Sequence, residues 1–247
     1  MSLYLRFIKG TVMLSETLAP LDNPVWYALQ EHQRHFRMPY QSMAFFTPDV
    51  CPFGGFLNTC SPAEITDYAR QTSHFFVVGD RPCFEDTVIL HNELVCDQMV
   101  LQHPVPVTIT EPIIMLEEAH RDDLIRLVNL VQPGYFKENT FSMGTYYGIY
   151  RDNRLVAVTG ERMKMNAFTE ISAVITHPEH TGRGYAGQLV SHTCSRILAE
   201  GKTPYLHVAS SNERAIKLYE RLGFAYRRKM SFWNLIGTTA TQANAVR

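Results

Sequence analysis

The chain has 247 residues, 45% of them hydrophobic, which suffices for one large core or two of ordinary size. Its 23 basic and 24 acidic side chains leave a formal net charge of -1, so no whole-chain field draws it to nucleic acid or to an anionic membrane. No apolar run approaches the ~18 residues of a membrane span, and the opening MSLYLRFIKGTVMLSE lacks the apolar block of a secretory leader, so a soluble, cytoplasmic protein is expected. The five cysteines, Cys51, Cys60, Cys83, Cys96 and Cys194, form neither a C-x-x-C pair nor a metal spacing and read as buried free thiols.

Asn23-Pro24 can start a helix with Val25, Trp26, Leu29 and Phe36 on one face. Ser61-Pro62-Ala63-Glu64 resembles a second helix start, running to about Gln71. Residues 75–78 and 87–90 are strand-like. The alternation predicts a small α/β unit without a catalytic constellation. In LQHPVPVTITEP, residues 101–112, three prolines alternate with β-branched residues, which favours an extended connector. A boundary near 106 then divides an α/β domain of unassigned role, 1–105, from a second domain, 106–247.

The second part is richer in signals. A short strand is expected over 113–116 and a helix over 120–131, with Leu124, Leu127, Val128 and Val131 at helical spacing. Strands over 143–150 and 155–163 flank the turn residues Asp152-Asn153, and a third covers 169–176. A helix runs from Gly184 to about Glu200, with Ala186, Leu189, Val190, Ile197 and Leu198 as its buried stripe. A strand at 205–209, a helix at 213–222 and a last strand at 224–235 follow. Gly223 is suited to cap that helix through positive φ. Phe224, Tyr226, Met230 and Phe232 share one strand face at period two. Consecutive strands followed by strand–helix alternation predict a mixed α/β sheet.

The most informative stretch leads from the 169–176 strand through Pro178 into His180-Thr181-Gly182-Arg183-Gly184-Tyr185-Ala186-Gly187 and then into a helix. Glycines let backbone amides approach a ligand, and the helix start adds unpaired donors and a positive dipole end; both favour a phosphate. A purely structural turn would carry the same glycines. A Walker loop needs Gly-Lys-Ser/Thr, and here Gly184 is followed by Tyr-Ala. Gly182-Arg-Gly-Tyr-Ala-Gly187 matches the dinucleotide string G-x-G-x-x-G, but hairpins precede it and no acidic residue closes the 205–209 strand.

Three matches together resemble the GNAT superfamily of acyl-CoA N-acetyltransferases, over about 108–236. Thr181-Gly-Arg-Gly184-Tyr-Ala186 looks like the family's Gln/Arg-x-x-Gly-x-Gly/Ala turn, with Thr in place of Gln or Arg. The stretch from Asn212 to Phe224 looks like its Asn-x-x-Ala-x-x-Leu-Tyr-x-x-x-Gly-Phe segment. Thr169-Glu170-Ile171 stands where the central strand begins. Pro133-Gly-Tyr-Phe136 and Gly160-Glu-Arg-Met163 resemble a bacterial subgroup similar to glycine N-acyltransferases. In that subgroup an extra N-terminal half looks like a degenerate copy of the same fold.

The resemblance implies acetyl-CoA, or another acyl-CoA, as co-substrate, no metal, and a small-molecule or peptide amine as acceptor. No nucleic-acid or membrane partner is expected, and a homodimer is compatible with it. Ala173, Val174 and Ile175 would offer backbone groups to the pantetheine arm and acetyl carbonyl. Thr181, Gly182, Arg183, Gly184, Tyr185, Ala186 and Gly187 would hold the pyrophosphate, Asn212 would touch the arm, and Tyr219 would face the sulfur. Glu170 is the candidate general base, with Glu161 second, and Tyr219 the general acid. An amide at Val174 or Ile175 would receive the oxyanion.

Each role has a plainer counterpart: a solvated strand-end carboxylate for Glu170, a core tyrosine for Tyr219, a helix cap for Asn212 with Ser210 and Glu213 as a rival capping box. His177, His180, His192 and His207 fit no zinc spacing. A non-catalytic CoA-binding regulatory module and a protein-contact adaptor are the alternative functions.

Overall fold

The computed structural model describes residues 18–238, so the opening stretch at 1–16, where no secretory leader is expected, lies outside the described residues. Pro24 occupies the first turn of α1 (Pro24–Gln30), where its missing N–H costs nothing. Glu31 leaves helical geometry (φ -110, ψ -108), so Phe36 falls in a separate 3-10 turn rather than in the same helix. Ser61 caps α2 (Pro62–Gln71) as expected, its Oγ accepting from the Glu64 amide at 3.3 Å. Two short strands escaped prediction, β1 (Met43–Phe45) and β2 (Phe53–Phe56). The second carries two central glycines, which weaken a strand pattern; a Cβ at Gly54 would collide with the Phe45 ring.

β3 (His74–Val78) matches its expectation. β4 (Val88–Leu101) runs on for 14 residues through His91, Asn92 and Glu93, which had broken the apolar pattern. Residues 102–113 leave the sheet, as the proline-rich stretch predicts. Then come β5 (Ile114–Leu116), α3 (Arg121–Val131), β6 (Tyr146–Arg151), β7 (Arg154–Lys164), β8 (Phe168–Thr176), α4 (Tyr185–Ala199), β9 (Thr203–Ala209), α5 (Glu213–Arg221) and β10 (Phe224–Gly237). Asp152 and Asn153 both take positive φ, the turn geometry expected between β6 and β7.

The described strands form one sheet in the order β1-β2-β3-β10-β4-β9-β8-β7-β6-β5. The connector therefore does not separate two sheets. β4, from before it, lies between β9 and β10; β10, from after it, lies between β3 and β4. Outward from the β4–β10 pair, each side repeats a parallel strand pair joined through a helix (β2-α2-β3 and β8-α4-β9) with an antiparallel neighbour (β1 and β7). A duplicated unit that exchanged its last strands would give this order. The first unit lacks the second's ligand turn: residues 57–61 hold no glycine.

Helices α4 and α5 cover one face over Met99, Ile171, Val190, Leu206 and Phe224, while α1 covers the other over Phe76, Tyr205, Met230 and Phe232. Phe224 and Met230 thus lie on opposite faces, contrary to the period-two expectation. A bulge between Tyr226 and Arg228 flips the alternation and leaves Tyr226 exposed. Leu198 also departs from its expected burial and faces outward, at 41% exposure. The reading of five free thiols is corrected as well. Cys60 and Cys83 are bridged, because the loops after β2 and β3 run side by side; Cys51, Cys96 and Cys194 are free and buried. Among the described residues, no helix is long and apolar enough to cross a membrane.

Candidate active site

The site begins where two strands part. β8 and β9 pair in parallel only at Phe168–Thr203, Thr169–Pro204 and Glu170–Tyr205. Beyond Glu170 the edge of β8 facing β9 has no strand partner. β8 also bulges against β7 between its Ser172 and Ile175 pairings, and there Ala173 takes φ 50, a strained value for a residue with a side chain. The result is a wedge-shaped gap with open main chain along 172–174. Ile175 turns its side chain into the cluster beneath α3, with Leu116, Leu124 and Val158, and lines neither cavity described below.

At the mouth of the wedge the chain turns through Gly182 (φ 79) and Gly184 (φ 77) into α4. Gly184 is the N-cap residue and no side chain caps the helix; its first hydrogen bond runs from the Gln188 amide to the Gly184 carbonyl at 3.2 Å. The six amides from Gly182 to Gly187 donate to no described residue. A Cβ built on Gly182 or Gly184 meets nothing within 4 Å, so both glycines are required by backbone conformation, and their open side faces a cavity of ≈ 500 Å³. Arg183, Arg214 and Arg221 line that cavity, and no carboxylate among the described residues does. Unpartnered amides, a helix dipole and three cations fit a pyrophosphate. Thr181 turns its hydroxyl back to the Pro178 carbonyl at 3.2 Å, while Tyr185 is buried and accepts from Arg151 Nε at 3.3 Å. Gly187 passes Leu218 of α5 at ordinary contact distance.

Asn212 caps α5 through Oδ1, which accepts from the Ala215 amide at 3.1 Å, leaving its Nδ2 toward the cavity. The rival Ser210 hydroxyl is bonded to Asp97 instead, at 2.6 Å. Tyr219 is 7% exposed, packs edge-on against Phe224, and has its phenol pushed up to about 12 by burial. Val174, Asn212, Ala215 and Tyr219 line both the first cavity and a second, of ≈ 370 Å³, on the far side of the wedge.

Glu170 lies under the floor of the second cavity, fully buried, and does not line it. Arg162 Nε and Nη2 each donate to it at 2.7 Å, and His207 Nδ1 does so at 2.8 Å. Despite desolvation, which alone would raise it, the Arg162 guanidinium and these hydrogen bonds draw the carboxyl down to about 2. Gln98 fixes the histidine. Its Oε1 accepts from Arg227 at 2.8 Å and its Nε2 donates to the Leu21 carbonyl at 2.8 Å, so the same Nε2 also donates to His207 Nε2 at 3.0 Å. The base role expected of Glu170 is therefore corrected: three donors hold its two oxygens, it does not line the cleft, and a carboxyl near 2 is a poor proton acceptor at neutral pH. Glu161 is no substitute, being buried against Lys164 Nζ at 2.6 Å and outside both cavities.

His177, Glu179 and His180 bring potential ligand atoms within 4.8 Å of one another beside the turn. Arg154 Nη2 donates to His177 Nε2 at 2.6 Å, which occupies the one lone pair that a neutral imidazole offers. His192, half-buried on α4, packs edge-on to Tyr147 of β6.

Sequence reasoning missed the contribution of the first 105 residues. Phe53, Phe76, Leu94 and Cys96 line the second cavity, together with Phe232, Arg162 and Tyr135. The Tyr135 ring lies over Phe76, with centroids 6.0 Å apart, so the Pro133-Gly-Tyr-Phe136 turn reaches across the cavity to β3. No periodicity in the chain announces residues that meet only through exchanged strands.

Residues 146–233 match the family described as FR47-like protein. A GNAT-family protein from Novosphingobium aromaticivorans has a solved structure similar to this one, with TM-score 0.79 and 31% identity over 89% of this chain and 99% of that one. A GCN5-related N-acetyltransferase-like protein from Streptococcus suis shares the fold at TM-score 0.60 and 13% identity, over 91% of this chain and 99% of that one. A mycothiol acetyltransferase from Corynebacterium aurimucosum is 34% identical over 68 residues, 27% of this chain; the match spans 22% of that protein's length.

Proposed function

The chain belongs to the GNAT superfamily of acyl-CoA N-acyltransferases, and from that premise we propose that it moves an acetyl or other short acyl group from acyl-CoA directly to a primary amine. The observation carrying this reading is the ring of six unpartnered amides at 182–187, set beside a wedge that continues past Tyr219 into a second cavity. A module that only bound CoA would have no need of a second chamber behind the thioester.

Acyl-CoA supplies the activated carbonyl; the amine nitrogen bonds to it, the carbon–sulfur bond breaks, and one amine proton ends on the sulfur, giving amide and free thiol. In this proposal the 182–187 amides, with Arg183, hold the diphosphate, and Thr181 shapes the turn through its bonds to the Pro178 carbonyl. The open edge of β8 at Ala173 and Val174 guides the arm, and the Val174 amide receives the charge developing on the carbonyl oxygen. The Ile175 backbone extends the same edge. Asn212 Nδ2 donates to the arm while Oδ1 keeps α5 capped. Tyr219 donates to the departing sulfur. With its phenol near 12 against a thiol of ~8.5, it stays protonated and acts through a strong hydrogen bond, with complete transfer uphill.

The amine needs no protein carboxylate. A chamber whose one charged lining side chain among the described residues is the cation Arg162 disfavours the ammonium form, because burial without a counter-charge disfavours a second cation. For an amine of pKa ~10.4, selecting the neutral species at pH 7 costs about 4–5 kcal/mol, paid in apparent acceptor affinity. Glu170 holds Arg162 and His207 in place. The test follows free thiol released from acetyl-CoA over a panel of amines, with Tyr219→Phe as control. Amine-dependent release that falls in the variant supports the reading; no release with any amine, together with no acetyl-CoA binding, ends it.

A further inference from the structure

The second cavity is walled by aromatic rings. Phe53 stands edge-on to Phe76 at 5.7 Å and to Phe232 at 5.6 Å, and Tyr135 stacks over Phe76 at its rim. At ≈ 370 Å³ it has room for roughly a dozen groups of water size, at ~30 Å³ each. Its charges are balanced. Arg162 is the one charged side chain lining it among the described residues, and the guanidinium is matched by Glu170 directly beneath, with two 2.7 Å hydrogen bonds. His207 is held between Glu170 and Gln98 and offers no open lone pair.

A second cation on the acceptor would find no carboxylate there. A carboxylate on the acceptor would meet a guanidinium whose charge is already spent, so it would enter desolvated and uncompensated. A ring would find edge and face partners in Phe53, Phe76, Tyr135 and Phe232. Arg162 Nη1 makes no hydrogen bond to a described residue, lies beside Phe53 (guanidinium carbon 4.8 Å from the ring centroid), and is free to donate to a neutral oxygen.

We propose that the acceptor is a small primary monoamine with an aromatic or otherwise apolar body and no further charge, seated among Phe53, Phe76, Tyr135 and Phe232. The proposal rests on the acyl-transfer reading and adds the substrate class. Amino acids, diamines and polycationic acceptors are selected against by the cavity's neutrality.

The experiment compares kcat/KM for acetyl-CoA-dependent thiol release with 2-phenylethylamine, tyramine, phenylalanine, phenylalaninamide and 1,4-diaminobutane, each corrected to its neutral-amine concentration. Phenylethylamine and tyramine should exceed phenylalanine and the diamine by at least 100-fold, with phenylalaninamide nearer to the amines than to the acid. A second arm uses Leu94→Asp, which adds a carboxylate to the wall. Once its acetyl-CoA binding is shown to be intact, it should shift the ratio of diamine to phenylethylamine at least tenfold toward the diamine. Phenylalanine or the diamine turned over as well as phenylethylamine would overturn the proposal and leave acyl transfer standing. So would a protein that binds acetyl-CoA yet acetylates none of the aromatic amines. Failure to bind acetyl-CoA at all would instead remove the reading on which the proposal rests.

Discussion

Replacing Glu170 by Gln tests the buried pair under the acceptor chamber. The carboxyl is drawn from its ordinary 4.5 to about 2, with the Arg162 guanidinium outweighing desolvation. At about 1.4 kcal/mol per pKa unit, that drop corresponds to about 3 kcal/mol of stability near neutral pH. Removing one partner of a buried ion pair independently suggests ~3–5 kcal/mol, because Arg162 is left uncompensated. The sign follows from the lowered pKa. The contribution is complete above the unfolded value of 4.5 and is lost as pH falls through the folded value near 2. Urea unfolding of wild type and Glu170→Gln should therefore show a gap of about 3 kcal/mol at pH 7, shrinking to roughly 1–2 kcal/mol at pH 3. Equal stabilities at pH 7, or a gap that does not narrow toward pH 3, would refute the reasoning. If the variant also keeps the wild-type shape of its pH–rate profile while losing turnover, Glu170 positions its neighbours and takes no proton.

Three further outcomes are expected. Tyr219→Phe should lower kcat about 10²-fold while leaving the acetyl-CoA dissociation constant within a factor of two to three, as measured by thiol release and calorimetry; an unchanged kcat would remove Tyr219 from the chemistry. With no carboxylate among the described residues lining either cavity, kcat/KM for the acceptor should rise tenfold per pH unit up to the amine's own pKa, and an inflection between pH 4 and 7 would point to a protein base that this account lacks. Thiol titration of unfolded, unreduced protein should find three reactive cysteines, and reduction of the Cys60–Cys83 bridge, which closes a sequence separation of 23, should cost ~3 kcal/mol in chemical denaturation; five thiols without reductant would contradict the bridge.

The second part of the chain was largely legible because its signals are local. Helical spacing marked α3, turn residues marked the β6–β7 hairpin, and glycines flagged the start of α4. These depend on residues a few positions apart. What escaped depends on partners far away in sequence. β4 reads as a strand only at its start, since its polar stretch at Asn92 and Glu93 is held by β10 and its later residues, Cys96 to Val100, by β9 as well. The bulge that flips the alternation after Tyr226 is a two-against-one mismatch with β4 and leaves no mark in β10 alone. The same holds at the site. The amide cradle and Tyr219 were visible as pattern, whereas Glu170 looked like a free strand-end acid until Arg162, eight residues earlier on the neighbouring strand, and His207 from β9 were found to occupy it. The acceptor chamber was the least visible of all, because Phe53, Phe76, Leu94 and Cys96 reach its wall from the first hundred residues.

The account depends on main-chain donors gripping a diphosphate, and calorimetry with two ligands tests that grip most directly. Acetyl-CoA and S-acetyl-pantetheine share the thioester and arm, but only the former carries the pyrophosphate. Acetyl-CoA should bind at least 100-fold more tightly to the wild-type protein, and Gly184→Glu, whose side chain meets open space but strains the backbone at φ 77, should abolish the difference once circular dichroism and thermal unfolding show that it is folded. Equal affinity for the two ligands, or undiminished acetyl-CoA binding by the Gly184→Glu protein, would contradict the claim.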